Sequence, residues 1–200
     1  MKSTIFVVDD DEAMRDALSQ LLEAAGLQVE THAGGPDFLA AFEAYRPGCV
    51  LLDMAMPGMT GLDVQAELNA HGFAIPILFL TGHGDIPMAV RAVQAGAVDF
   101  LEKPVPGAVL LERVQRALRL DEEWRQLRSQ TEATQQRYGR LSTREREVMA
   151  LAVTGLTSKE IAKKLDISPR TVEVHRTHVM HKMDAANLVE LINLAAFCSL

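Results

Sequence analysis

Five short strand-like runs alternate with segments of helical periodicity over the first 120 residues. The runs are TIFVV, LQVETH, CVLLD, PILFLT and VDFLE. Continuous apolar runs of this length are typical of strands buried on both faces, whereas the segments between them place apolar residues at helical spacing. Strands that alternate with helices favour a parallel sheet covered by those helices. The sequence therefore predicts a doubly wound α/β domain of five βα units.

Polar residues stand where four of the predicted strands end. They are Asp9, Asp10, Asp53, Thr81 and Lys103. The carboxyl ends of parallel strands meet at one edge of a sheet, and α/β proteins bind ligands there. We therefore expect one pocket with three carboxylates, a hydroxyl and an ammonium. Because neighbouring carboxylates repel each other, this pocket predicts a bound cation.

The pocket residues suit phosphoryl transfer. An aspartate at a strand end can attack phosphorus and form an aspartyl phosphate, and the transfer itself depends mostly on positioning and charge neutralisation. Mg²⁺ prefers one or two carboxylates together with phosphate oxygens and water. We assign Asp53 as phosphoryl acceptor and metal ligand, and Asp9, Asp10 and the backbone carbonyl of Ala55 as further metal ligands. The lysine and the threonine of the pocket can each bind a phosphate oxygen.

Two alternatives remain for these residues. The aspartates at 9–11 can cap the first helix, Asp53 can cap a loop, and Lys103 can be an ordinary surface lysine. Their joint position at the strand ends of one sheet argues against that interpretation. The second alternative is a metal-dependent phosphatase that uses Asp53. It would need an acid or base two residues later, where the chain has Ala55.

A long helix is predicted to follow the fifth strand, because no glycine or proline interrupts the chain from Leu120 to Arg137. Within it, a heptad-like seam is formed by Leu120, Trp124, Leu127, Thr131, Thr134 and Tyr138. The seam is apolar for only about two heptads. A coiled coil between two protomers and a single linker helix therefore remain equally compatible with the sequence.

The last 62 or so residues, from Gly139, carry clear helix-start signals. Capping boxes occupy 142–145 and 157–160, and Ser168 precedes a first-turn proline. Four helices are predicted, over 143–154, 158–165, 169–183 and 187–197. Only a tight turn separates the second helix from the third, which is the helix-turn-helix arrangement. This part is therefore predicted to be an all-α domain.

The helix over 169–183 is the candidate nucleic-acid reader. Its Val172, His175, Val179 and Met183 share one face and can pack on the core. The opposite face and its flanks can enter a major groove, where arginine can bind guanine. With lysines that can contact phosphates, the candidate DNA-binding residues are Lys159, Lys163, Lys164, Arg170, Thr171, Glu173, Val174, Arg176, Thr177, His178, His181 and Lys182. The alternative is a helical bundle, or a protein-interaction module, that does not bind DNA.

Charge divides the chain in the same way as the helical pattern. Residues 1–120 hold 8 Lys/Arg against 16 Asp/Glu, whereas residues 139–200 hold 9 against 7. An acidic front and a mildly basic back indicate domains with different partners. We therefore expect domains over 1–120 and 139–200, joined by a helical linker over 121–138. The sequence has no signal-peptide pattern or long apolar run, and we expect a cytoplasmic protein.

The motifs of the first domain resemble a known family. VVDDDE, LLDMAMPGMTG, FLTGHGD and DFLEKP are similar to the receiver domain of two-component response regulators. The resemblance implies a flavodoxin-like fold, a Mg²⁺ (or Mn²⁺) cofactor and phosphorylation by a sensor histidine kinase. It also implies that Thr81 and Phe100 shift together on phosphorylation, and that the Lys103-Pro104 peptide is cis.

The second domain resembles the output domain of the LuxR/FixJ type, through LSTREREVMALAVTGLTSKEIAKKLDISPRTVEVHRTHVMHKM. This resemblance implies a four-helix helix-turn-helix unit that binds double-stranded promoter DNA, usually as a dimer on a two-fold site. The stretches HGDIP and SPRTVEVHR are similar to FixJ-like regulators. We therefore expect a transcription regulator rather than an enzyme. This regulator is expected to form a homodimer on phosphorylation and to act with RNA polymerase.

Overall fold

The computed structural model describes residues 2–44, 46–82 and 86–198. It contains two compact units, Met1–Arg125 and Gln126–Leu200. The first unit is built on a five-stranded sheet of β1 (Thr4–Val8), β2 (Gln28–His32), β3 (Gly48–Asp53), β4 (Ile77–Thr81) and β5 (Asp99–Glu102). The order is β2-β1-β3-β4-β5, and all four pairings are parallel. The predicted doubly wound sheet is confirmed.

Helices cover both faces of this sheet because successive strand residues point to opposite sides. The helices are α1 (Glu12–Ala24), α2 (Gly35–Ala41), α3 (Gly61–Ala70), α4 (Ile86–Gln94) and α5 (Gly107–Gly139). On β1, Phe6 and Val8 join the core beneath α2, α3 and α4. Ile5 and Val7 join the core beneath α1 and α5. Each face thus has its own buried apolar layer.

Helix α5 continues for 33 residues, as the absence of glycine and proline predicts. Trp124 and Leu127 are exposed, with 36% and 54% of their surface accessible. In contrast, Thr134 is buried, and Tyr138 packs against the core of the second unit. Thr134 and Tyr138 of the heptad-like seam are therefore packed within a single protomer. Among the seam residues, Trp124 and Leu127 are the exposed apolar ones that a coiled coil could bury.

A buried carboxylate joins α5 to the sheet within the first unit. Asp121 is 1% exposed, and its Oδ2 accepts hydrogen bonds from Gly48 N and Arg125 Nε, both at 2.9 Å. Gly48 has a φ of 153°, and a Cβ there would lie 1.9 Å from the carbonyl oxygen of Thr4. Only glycine fits this approach of two strands. Asp121 therefore binds the first residue of β3.

The second unit contains α6 (Thr143–Ala152), α7 (Ser158–Leu165), α8 (Pro169–Met183) and α9 (Leu188–Ala195). Both predicted capping boxes are present. The predicted bounds of α7 and α8 are confirmed, whereas α6 and α9 each end two residues earlier than predicted. Asp166, in the left-handed conformation at φ 52°, makes the tight turn between α7 and α8. No helix in the described parts of the chain has the length and apolar character that crossing a bilayer requires.

Candidate functional sites

The predicted polar pocket is formed at the carboxyl edge of the sheet. Asp9 follows β1, Asp53 ends β3, and both carboxylates are almost fully buried. The ammonium of Lys103, just beyond β5, lies between them. Its Nζ donates to Asp9 Oδ2 at 2.6 Å and to Asp53 Oδ1 at 2.5 Å. Three residues that are far apart in sequence therefore form one charged cluster.

The remaining carboxylate oxygens are held by backbone donors. Asp9 Oδ1 accepts from Asp11 N at 3.0 Å, and Asp53 Oδ2 accepts from Ala55 N at 2.7 Å. The backbone of Asp9 is held as well, because its carbonyl accepts from Arg15 Nη1 at 2.8 Å. Sequence reasoning did not identify Arg15. The available signal was an arginine in the first turns of a helix that follows an acidic cluster.

Electrostatics keeps Lys103 charged. Burial lowers the pKa of its ammonium, but the hydrogen bonds to Asp53 and Asp9 and their negative charge outweigh burial and raise the pKa above its ordinary value. A permanent positive charge thus lies between two buried carboxylates. This is the arrangement that a dianionic phosphate would need beside a carboxylate acceptor.

Asp10 and Asp11 differ from their neighbour Asp9. Both side chains are exposed. Asp11 is the N-cap of α1, where its carboxylate accepts from Ala13 N and Met14 N. The capping interpretation therefore holds for Asp11. The pocket donors, which are carboxylate and carbonyl oxygens, suit Mg²⁺ chemically. Within the described residues, however, no three His, Cys, Asp or Glu side chains are close enough to hold a metal.

Thr81 and Phe100 lie on the neighbouring strands β4 and β5. Thr81 is buried at the end of β4, and its carbonyl accepts from Lys103 N at 2.7 Å. Phe100 is half-buried and packs on the core beneath α2, α3 and α4. The Lys103-Pro104 peptide is cis, as the resemblance implied. Residues 83–85 of the FLTGHGD and HGDIP stretches lie outside the described residues.

The faces of α8 are divided as its periodicity predicts. Val172, Val179 and Met183 are buried, and His175 is half-buried. The exposed residues of the helix include Arg170, Thr171, Glu173, Val174, Thr177, His178 and His181. Lys159, Lys163 and Lys164 of α7 are also exposed. This unit therefore presents a largely polar helix face, interrupted by the exposed Val174, together with nearby positive charge.

Several of the candidate DNA contacts have partners inside the protein, among them His178, whose Nδ1 lies 3.7 Å from Glu145 Oε1. Arg176 Nη1 donates to Leu156 O at 3.4 Å. Lys182 Nζ donates to Glu145 Oε2 at 2.7 Å, and it lies 3.4 Å from Arg140 O. Glu145 is a second functional candidate that sequence reasoning missed, because its position in a capping box already explained it.

Glu145 is held in its charged form. The hydrogen bond from Lys182 lowers the pKa of this carboxyl most, burial opposes it, and hydrogen bonds within the Ser142 cap lower it further, to about 2. Ser142 N donates to Glu145 Oε2 at 2.7 Å. The carboxylate therefore links the start of α6 to the C-terminal part of α8.

This linkage predicts acid sensitivity. The pKa of Glu145 is lower in the folded protein than its ordinary value of 4.5, so the ionised carboxylate stabilises the folded state at pH values above 4.5. That stabilisation is lost as the pH falls from about 4.5 towards 2. We expect wild-type protein to lose stability relative to Glu145→Gln across this range. Urea unfolding followed by far-ultraviolet circular dichroism measures the difference. If the free energies of unfolding of the wild-type protein and Glu145→Gln changed in parallel with pH, the prediction would be contradicted.

Family models match the parts of the chain that hold the two candidate sites. Residues 5–115 match the model of the response regulator receiver domain. Residues 140–195 match the model of bacterial regulatory proteins of the luxR family. The first match contains the charged pocket, and the second contains α6, α7, α8 and α9.

Individual relatives extend the similarity over nearly the whole chain. The transcriptional regulatory protein FixJ of Azorhizobium caulinodans is 46% identical over 192 residues, which cover 96% of this chain and 90% of that protein. The structure of the response regulator StyR superposes with a TM-score of 0.86 at 43% identity, covering 98% of this chain and 99% of the other. Full-length FixJ from B. japonicum gives a TM-score of 0.59 at 42% identity, with 98% and 97% covered.

Proposed function

Since the chain belongs to the FixJ-like two-component response regulators, with a receiver domain and a LuxR-type DNA-binding domain, we propose that Asp53 is its phosphoryl acceptor. A sensor histidine kinase is the donor, and the phosphorylated state controls promoter binding. The observation that carries this proposal is the Lys103 ammonium, which already touches Asp53 Oδ1 and Asp9 Oδ2. It provides the counter-charge that an aspartyl phosphate needs beside two carboxylates.

In the transfer step, a carboxylate oxygen of Asp53 forms the new O–P bond while the P–N bond of the kinase phosphohistidine breaks. Ala55 N holds the other oxygen at 2.7 Å and so orients the carboxylate. Lys103 binds a phosphate oxygen of the product. Mg²⁺ or Mn²⁺, held by Asp9, Asp10, Asp53 and the carbonyl of Ala55, would supply charge neutralisation. The exposed side chain of Asp10 is free to turn towards such an ion.

We propose that Thr81 and Phe100 transmit the change. The Thr81 hydroxyl turns to donate to the phosphate, and the half-buried Phe100 ring moves into the space beneath α4. Thr81 lies on β4 and Phe100 on β5. These two strands pair directly, with Phe79 opposite Phe100 and Thr81 opposite Glu102. The surface of α4, β5 and α5 would change as a result and form a homodimer, which suits a two-fold promoter site.

Exposed valines on α4 allow a test of this dimer. Val90 and Val93 lie one helical turn apart, and 48% and 55% of their surface is accessible. We expect Val93→Glu to weaken phosphorylation-dependent association by about tenfold or more, because a charge would be buried in an apolar contact. Sedimentation velocity with acetyl phosphate measures the change. Val189→Glu, at an exposed valine of α9, is the matched control, and equal association of both variants would argue against an α4 interface.

We propose that α8 contacts the bases and that the lysines of α7 contact phosphates, with RNA polymerase as the partner at the promoter. The exposed Arg170, Val174 and Thr177 support this role, since arginine can bind guanine and apolar atoms can contact a thymine methyl. The division into a receiver over 1–120, a linker over 121–138 and an output domain over 139–200 remains part of this proposal.

We propose that the protein is a regulator that does not catalyse the hydrolysis of phosphate esters. Alanine at position 55 leaves no acid or base two residues after the acceptor. Steady release of product from a generic phosphate ester, above background, would contradict this view and favour a phosphatase.

Incubation with acetyl phosphate and Mg²⁺ tests the main proposal. Intact-mass spectrometry should show one added phosphoryl group, and fluorescence anisotropy should show tighter binding to promoter fragments enriched from the genome. Labelling without any change in DNA affinity would refute the regulatory link. The absence of labelling would refute the acceptor site.

A further inference from the structure

Lys182 differs from the other lysines near the DNA-binding surface. The three lysines of α7 are exposed, whereas Lys182 is half-buried and its ammonium donates to Glu145 Oε2 at 2.7 Å. A second acceptor, the carbonyl of Arg140, lies at 3.4 Å. Two of the three donors of this ammonium are thus directed into the protein. A phosphate contact would have to compete with these partners.

Glu145 cannot release Lys182 easily. Its side chain is 5% exposed, and its carboxylate also accepts from Ser142 N at 2.7 Å, while Ser142 Oγ accepts from Glu145 N at 3.2 Å. Turning the carboxylate away would break the capping box of α6 and leave buried groups without partners. Lys182 is therefore attached to an acceptor that the helix start itself fixes.

A second ion pair acts at the same end of α8. Arg137 Nη2 lies 3.1 Å from Asp184 Oδ2, and its Nη1 lies 3.5 Å from the carbonyl of Met183. Asp184 is the C-cap of α8. Both attachments join the C-terminal end of α8 to the segment over 137–145. Arg170 and Val174, nearer the N-terminal end of the helix, have exposed side chains without such attachments to this segment.

We propose that Lys182 is a positioning residue for DNA recognition rather than a phosphate contact. Through Glu145 it fixes the angle of α8, and with it the placement of the side chains that contact bases. This inference rests on the proposed DNA binding by α8. It reassigns Lys182, which the sequence placed among the candidate phosphate contacts.

The two roles have different signatures. Loss of a phosphate contact weakens binding to all DNA about equally and lowers the slope of log affinity against log salt concentration by about 1. Loss of a positioning residue leaves that slope unchanged. It weakens binding to a specific site more than binding to other sequences, because only specific binding depends on base contacts.

The test uses the full-length protein with acetyl phosphate and Mg²⁺. One probe is a duplex that the wild-type protein selects from a random library, and the other is a scrambled duplex of the same length. We expect Lys182→Gln to lose about tenfold in affinity for the selected duplex, with little change for the scrambled one. Lys182→Arg should restore most of the loss. Lys163→Gln, at an exposed lysine of α7, is the matched control and should lower the salt slope.

Glu145→Gln provides a second variant, because glutamine can maintain the capping box while the charge beside Lys182 is removed. It should reduce the ratio of selected to scrambled affinity in the same way. An equal loss on both duplexes and a lower salt slope for Lys182→Gln would overturn the inference, as would wild-type behaviour. If the wild-type protein enriches no duplex, the proposed DNA binding itself fails, and this inference fails with it.

Discussion

Asp53→Asn is expected to abolish labelling by acetyl phosphate and, with it, the gain in promoter affinity. The carboxylate is the only part of Asp53 that can attack phosphorus, and an amide is not a nucleophile of comparable strength. The substitution preserves the shape of the side chain, and the amide oxygen can still accept the hydrogen bond from Ala55 N or Lys103. Intact-mass spectrometry measures the labelling, and anisotropy measures the affinity.

The variant should fold as well as the wild-type protein, since it removes one of two neighbouring buried negative charges. Asp16→Asn, at an exposed aspartate of α1, is the matched control and should be labelled normally. Normal labelling of Asp53→Asn would show that another residue accepts the phosphoryl group. Loss of labelling with full retention of the affinity gain would separate phosphorylation from DNA binding.

Lys103→Met is expected to destabilise the first unit by about 3–5 kcal/mol, the usual cost of leaving a buried charge without its partner. Without the ammonium, the carboxylates of Asp9 and Asp53 face each other across the pocket at a few per cent exposure. Mg²⁺ should restore much of the lost stability, because a metal that binds only the folded state stabilises it. Urea unfolding with and without Mg²⁺ measures both effects.

Lys2→Met, at an exposed lysine of the same unit, controls for loss of a positive charge and should have little effect. The double variant Asp53→Asn/Lys103→Met should be more stable than Lys103→Met, because it carries one fewer buried carboxylate. If Lys103→Met unfolds at the same urea concentration as the wild-type protein, the ammonium is not the counter-charge of the pocket.

Local patterns were sufficient to predict the elements and the polar edge of the sheet. The strand-like runs identify all five strands, and four of them, β1, β3, β4 and β5, end within a residue or two of a predicted pocket residue. The strand-end rule brings Asp9, Asp53 and Lys103 together without any knowledge of side-chain geometry. Capping signals likewise locate the starts of α6, α7 and α8.

Pairings between distant residues were beyond these patterns. The contact of Asp121 with Gly48 spans 73 residues, and that of Lys182 with Glu145 spans 37. Periodicity indicates which face a residue occupies but not which partner it meets there. For this reason the sequence alone places Lys182 among the candidate phosphate contacts and gives no sign of its hydrogen bond to Glu145. Asp10 shows a related limit, because the strand-end rule places it beside Asp9 but does not say which of the two side chains is buried, and the structure has Asp9 buried and Asp10 exposed.

The buried Asp121 sets a lower limit on the length of any stable receiver fragment. A chain that ends at residue 120 keeps all five strands and most of the apolar contacts of α5, yet it lacks the acceptor for the N–H of Gly48. An unsatisfied buried donor costs about 1–3 kcal/mol of folding stability. Substitution of Gly48 cannot remove this cost, because only glycine fits at that position. Domain exchange between regulators of this kind should therefore join the chains after Arg125, so that the carboxylate and its arginine travel with the sheet.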